Sequence, residues 1–318
     1  MYATLFDRNY LLRGLTMIES LHAVAPGSQV TVLALDWETA SLLSDHQSAL
    51  NLTILGLGDL DEPELWSARQ TRCYRDFCWT LSSVLCHRLL QDHEEVIYLD
   101  ADLLFLSSPN DLINQCRAGQ IAAIPHDFPE RLRHLESNGR FNVQWVYFSG
   151  PEGRVACEEW RQQCLERCEL APDEGVVGDQ KYLDQWPATY RAFVQIDDPG
   201  CGVGPWNHEQ RQPTQQSGHW RVSTGHPLVF FHFHGLKIEP SGEITMAADT
   251  YAEKIPLPTG LYSEYLERLA TNWSQIQHLV PEPDPTQWRL RRPEGRASRT
   301  FGRLQAGWRT RRARRAPS

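Results

Sequence analysis

The chain has 318 residues, 41% hydrophobic and 22% charged, which implies one or two globular domains with ample chain to bury a core. No apolar run reaches the length of a membrane span, and the opening MYATLFDRNYLLRG lacks the zones of a secretory signal, so a cytoplasmic protein is expected. The net charge of −9 is uneven: residues 289–318 hold eleven arginines and one glutamate, which leaves −19 on the remainder and makes nucleic acid an unfavoured partner.

Tyr2–Phe6 reads as a first strand. Asp7-Arg8-Asn9-Tyr10 then forms a turn ahead of a helix marked by Leu11, Leu12, Leu15, Ile18 and Leu21 at helical spacing. A second strand is expected over 29–35, a short helix over 39–46, a third strand over Leu52–Leu55 and one helical region over about 64–90. The fourth strand, Val96-Ile97-Tyr98-Leu99, is apolar throughout, as in a parallel strand covered on both faces. A short helix after Pro109 and a fifth strand over Ile121–Pro125 complete a β-α-β-α alternation. The pattern predicts an α/β fold with a Rossmann-like, mostly parallel sheet and helices on both faces. No G-x-G-x-x-G follows the first strand, so a dinucleotide site is not indicated.

The second half is less regular. Residues 141–148 read as a strand and 152–168 as an amphipathic helix. A short helix opens at 178 and is expected to stop at Trp186-Pro187, followed by a strand over 191–196. Residues 197–226 look like a long loop over a site, 228–233 a last buried strand and 261–279 a helix. The expected division is a main domain over 1–260, a helix and linker over 261–288 and a basic tail over 289–318. The eight cysteines contain no C-x-x-C, so reduced thiols are expected and a structural zinc site is not.

The chemistry centres on Asp100 and Asp102, two carboxylates where a buried strand ends, at the edge where open α/β sheets bind ligands. Their desolvation demands positive charge, and a divalent cation is the usual source. A second D-x-D, Asp59-Leu60-Asp61, sits in a polar loop and reads as coincidence. Alternation along the last strand places His232 and His234 on one face. Asp100, Asp102 and His232 offer three ligands to a hard cation, Mn2+ or Mg2+, and leave the other positions to phosphate oxygens and water.

These motifs resemble the bacterial GT-A fold glycosyltransferases, close to glycosyltransferase family 8, over roughly residues 3–238. Asp7-Arg8-Asn9-Tyr10 is similar to the family's D-x-N-Y, and Tyr98-Leu99-Asp100-Ala101-Asp102 to its Y-L-D-x-D. Phe141-Asn142-Val143 resembles F-N-x-G, Asp179-Gln180 the D-Q pair, and the segment from His232 to Lys237 the H-x-x-G-x-x-K. The resemblance implies that Asp7, Asn9 and Tyr10 hold the nucleoside of a nucleotide-diphospho-sugar donor. It further implies that Asp100, Ala101, Asn142 and Lys237 contact the donor, and that Asp100, Asp102 and His232 bind the metal. Asp179 and Gln180 would lie beside the reacting carbon, with retention of configuration and a glycan or lipid-linked acceptor. Three departures stand out. Gln144 replaces the usual Gly, the lysine comes one residue early, and Ile238 replaces Pro-Trp. The family's arginine ahead of the fourth strand falls on Arg72, Arg75 or neither.

Other readings remain open on the residues alone. An inverting enzyme would need a carboxylate base, Asp179 or Asp127. Asp179 also suits the N-cap of the helix it opens, Asn142 a backbone bond at a strand start, and Trp206 simple packing. A phosphatase of haloacid-dehalogenase type would use Asp100 with Lys181 and Asp197-Asp198, although Leu104 stands where it wants Thr or Val. A non-catalytic glycan-binding protein on the same fold is a third alternative. In the tail, Phe301, Leu304 and Trp308 fall at helical spacing among arginines, which suits an anionic membrane surface and a peripheral position at its inner face. Gly302 and Gly307 suit a solvated, disordered tail equally well.

Overall fold

Runs of β-branched and aromatic residues buried on both faces form the centre of the computed structural model, which describes residues 1–60, 62–238, 244–246, 251 and 256–276. Asp61, the 277–288 linker and the basic tail lie outside the described residues, as does most of the 240–260 stretch. Strands β1 (Tyr2–Phe6), β2 (Val30–Ala34), β3 (Leu52–Leu55) and β4 (Glu95–Leu99) are parallel and lie in the order β3-β2-β1-β4. Helices α1 (Leu11–Val24), α2 (Trp37–Ser44), α3 (Pro63–Thr71) and α4 (Tyr74–Leu90) connect them. Asp36 starts α2 two residues earlier than the spacing suggests, because its Oδ1 accepts from Thr39 N at 2.7 Å.

After β4 come β5 (Leu103–Phe105), α5 (Asn110–Cys116), β6 (Ile121–Pro125), β7 (Phe141–Ser149) and α6 (Gly150–Glu166). β7 inserts between β4 and β6 and runs antiparallel to both, and the strand Phe193–Gln195 joins the far edge parallel to β6. The sheet is therefore α/β and mostly parallel, with seven strands. Leu15, Ile18 and Leu21 of α1 pack on one face with Ile97, Leu99 and Trp145. Phe77, Leu81 and Leu85 of α4 and Trp160 of α6 cover the other, against Val96, Tyr98 and Phe148.

Four local expectations are refined. The helical region over about 64–90 is present but divided into two helices, because Arg72 and Cys73 are extended. Arg72 is drawn away to Thr80 Oγ1 and to the carbonyls of Cys164 and Leu165, which staples the break to the end of α6. The strand over 228–233 shortens to Phe230–His232 and leaves the main sheet to pair with β5, with His232 opposite Leu103. The short helix does stop before Pro187, running over Gln180–Gln185 with Trp186 as its C-cap, but a second one, Trp186–Thr189, follows at once with Pro187 in its first turn, where a missing N–H costs nothing. The stretch 197–226 contains the helix His208–Arg211 and a hairpin, Thr214–Gln216 with His219–Arg221.

The C-terminal helix Thr259–Ile276 packs into the body. Tyr265 stacks on Phe233 at 3.8 Å between ring centroids, Asn272 Nδ2 donates to Thr16 Oγ1 of α1 at 3.0 Å, and Ile276 enters the α1-side core.

Candidate metal and donor site

β4 ends at Leu99, and the chain crosses Asp100, Ala101 and Asp102 into β5. Phe231 and Phe233 anchor the last strand under the C-terminal helix, so alternation turns His232 to the opposite side, toward the acidic pair. His232 Nε2 lies 2.9 Å from Asp102 Oδ1 and 3.9 Å from Asp100 Oδ2. One ligand atom from each of the three falls within 4.8 Å of the others, the one such group among the described residues. The side chains of His232, Asp102 and Asp100 are 4%, 13% and 29% exposed, so the cluster closes inward and opens at Asp100.

The electrostatics match a site waiting for positive charge. Burial raises the Asp100 carboxyl to about 6, the neighbouring Asp102 charge adds to this, and His232 opposes both. Burial also pushes Asp102 upward, but the charge and hydrogen bond of His232, with His234 and Arg13 behind them, hold it at about 2. Desolvation works against protonated His232, and the two carboxylates outweigh it and raise its pKa. Two hard carboxylates and an imidazole nitrogen form a donor set that can hold a divalent cation.

Asp7 organises the neighbouring turn. Its Oδ1 accepts from Asn9 N at 2.9 Å and Tyr10 N at 3.2 Å, while Oδ2 accepts from Asn9 Nδ2 at 2.7 Å and Tyr74 Oη at 2.9 Å. Tyr10 is half exposed, and its hydroxyl is raised to about 12 by desolvation first, then by the charges of Asp102, Asp100 and Asp7. Tyr74 and Arg72 line a cleft of about 210 Å³ with Leu35, Leu57 and Phe77. Sequence reasoning missed Arg13, one helical turn after Asn9. Its guanidinium donates to Asn9 O and to Leu236 O and lies over the Tyr10 ring, tying the turn to the segment after His232.

The remaining predicted residues lie around this centre. Ala101 is buried between the two aspartates, and Lys237 is exposed on the short strand Lys237–Ile238. Asn142 has both ends of its amide engaged: Nδ2 donates to His126 Nε2 at 2.9 Å and Oδ1 accepts from Gln144 N at 2.8 Å. His126, also missed, follows the carboxyl end of β6 as Asp100 follows β4. Burial drives its pKa down to about 3, so the ring is neutral. Asp179 makes no side-chain capping bond, contrary to its N-cap reading; Ser82 Oγ donates to its Oδ2 at 2.5 Å. Burial raises Asp179 to about 7, and the Asp100 charge adds to this. Gln180 Nε2 donates to Asn138 O at 2.9 Å.

Asp127 holds a left-handed backbone (φ 53°) and pairs with Arg211 at 2.7 Å. It lines a cleft of about 220 Å³ with Arg140, Asp197 and Asp198. Trp206 is buried with its ring edge-on to His232 at 5.3 Å. Arg75 is held by Asp76 at 2.9 Å and covers Trp79. The departure at Gln144 is also placed. Its side chain is buried, Oε1 accepts from His232 Nδ1 at 3.0 Å, and Nε2 has no partner among the described residues.

No protein-family model matches the chain. It is 28% identical over 292 residues to the uncharacterized protein YfnF of Bacillus subtilis, covering 88% of this chain and 95% of that protein. It is 26% identical to the uncharacterized protein YfnD of the same organism, covering 88% and 92%. Among solved structures, the galactosyltransferase LgtC, in complex with donor and acceptor sugar analogues, matches at a TM-score of 0.51 and 14% identity, over 86% of this chain and 99% of that one. The bifunctional glycosyltransferase WbbM matches at 0.51 and 12% identity, over 87% of this chain and 51% of that one. The fold is thus of the GT-A type.

Proposed function

We propose that the chain is a metal-dependent glycosyltransferase that moves a sugar from a nucleotide-diphosphate donor, a UDP-sugar first among them, to a hydroxyl of a glycan or lipid-linked acceptor. The observation that carries this reading is the convergence of Asp100, Asp102 and His232 within 4.8 Å at the carboxyl end of β4, in a fold similar to that of LgtC. When bound, a cation such as Mn2+ supplies charge that stabilises the departing diphosphate. Asp100, Asp102 and His232 would hold that cation, and Lys237 would add positive charge toward the diphosphate. The turn of Asp7, Asn9 and Tyr10, with the cleft beside Tyr74, receives the nucleoside. Ala101 and the Asn142–His126 pair shape the sugar side.

The transfer is assigned as retaining, with Gln180 positioning the reacting carbon; a neutral amide is a poor nucleophile and takes no covalent role. Asp179, the neighbour of Gln180 in the chain, is held by Ser82 Oγ. The lysine of the phosphatase alternative, Lys181, pairs with Asp184 at 2.8 Å.

A panel of nucleotide sugars incubated with the full-length protein and Mn2+ tests the proposal. Metal-dependent release of the nucleoside diphosphate from one of them, abolished in Asp102→Ala, is expected. Hydrolysis of small phosphomonoesters that disappears in Asp100→Asn would replace the transferase with a phosphatase.

A further inference from the structure

Resting on the metal-dependent reading above, the structure assigns Gln144 as a positioning residue that sets the His232 imidazole for the cation. An amide oxygen only accepts, so the 3.0 Å contact from Oε1 to His232 Nδ1 requires the proton on Nδ1. Nε2, which faces Asp102 and Asp100, is then the nitrogen that gives up its proton to become a metal ligand when a cation enters. The main chain of the same residue reaches the other side of the site. Gln144 C=O accepts from Asp100 N at 3.2 Å, so one residue holds both the imidazole and the first carboxylate.

The backbone is bent to achieve this. The register of β7 against β6 slips between Ala123 and Ile124, which leaves Val143, Gln144 and Trp145 bulged next to the site. Asn142 Oδ1 braces the bulge by accepting from Gln144 N at 2.8 Å. Gly202 closes over it with φ +66°, and a Cβ there would stand 2.4 Å from Ile124 Cγ2 and 3.2 Å from Gln144 Nε2.

Ordinary packing does not explain the residue. Gln144 is fully buried, and its Nε2 is left without a partner among the described residues. A methionine fills that volume with no stranded donor. The bond to His232 is what the polar group supplies. Without it, the ring is free to adopt the other tautomer and donate from Nε2 to Asp102, which hides the lone pair the cation needs.

The test titrates Mn2+ alone into the full-length protein and follows the free-ion electron paramagnetic resonance signal. Gln144→Met is expected to weaken Mn2+ binding by about 10–100-fold, with the melting temperature of the metal-free protein nearly unchanged, while Gln144→Glu, which keeps an acceptor, restores binding to within about threefold. A folded Gln144→Met that binds Mn2+ like the unaltered protein, while His232→Ala does not, overturns the role of Gln144 and leaves the transferase reading standing. Absence of saturable Mn2+ binding in the unaltered protein overturns both. Should Gln144→Met fail to fold, nitrogen NMR of the histidine-labelled, Zn2+-loaded unaltered protein decides. Protonated Nδ1 and bare Nε2 on His232 are expected, and a proton on Nε2 overturns the proposal.

Discussion

Replacing Asp179 with Asn separates a burial effect from the rest of the site. Asp179 is 6% exposed, and burial raises its carboxyl from 3.8 to about 7, with Asp100 adding to the shift. The folded state therefore holds a proton that the unfolded chain releases. The stability this contributes is complete below 3.8 and is lost as pH rises through about 7. A shift of roughly three units corresponds to about 4 kcal/mol in total, of which about 2–3 kcal/mol falls between roughly pH 5 and pH 8. Asn keeps an oxygen for Ser82 Oγ but does not ionise. Urea denaturation of both proteins across that range is the assay. The unaltered protein is expected to lose stability toward pH 8, and Asp179→Asn to flatten the slope by about 2–3 kcal/mol. Parallel pH curves would refute the reasoning and place a charged carboxylate in this pocket.

Gly202→Ala forces a Cβ into Ile124 at a left-handed backbone, and it is expected to cost about 2–4 kcal/mol by urea denaturation; a neutral substitution contradicts the packing described. Tyr74→Phe removes the 2.9 Å bond to Asp7 and is expected to weaken UDP binding with Mn2+ by about 2–10-fold in calorimetry, with little change in stability. Unchanged affinity would detach the Asp7 turn from the donor. Deleting residues 289–318 is expected to release the protein from anionic liposomes while donor hydrolysis persists; equal binding before and after deletion disposes of the membrane role.

The legible part of the fold is the part in which one local rule suffices. The run that became β4 is apolar on both faces and bounded by charge, and Asp100 and Asp102 follow its end. His232 was readable because alternation in Phe-His-Phe-His separates aromatic anchors from imidazoles. What escaped depends on residues distant in sequence. The break at Arg72 exists because its guanidinium finds carbonyls 92 and 93 positions away. Phe230–His232 pairs with β5 outside the main sheet, a long-range pairing that no periodicity reveals. Gln144 looked like a flaw in a motif, and its partner 88 positions away shows it engaged with His232. His126 carried a usable signal, its place just past the end of β6, in line with Asp100 past β4.

Anomalous diffraction at the manganese edge, from crystals grown with Mn2+ and UDP, locates the cation outright. One strong peak ligated by Asp100, Asp102 and His232 Nε2 is expected, with diphosphate oxygens completing the shell. A peak elsewhere, or none with UDP bound, would contradict this coordination.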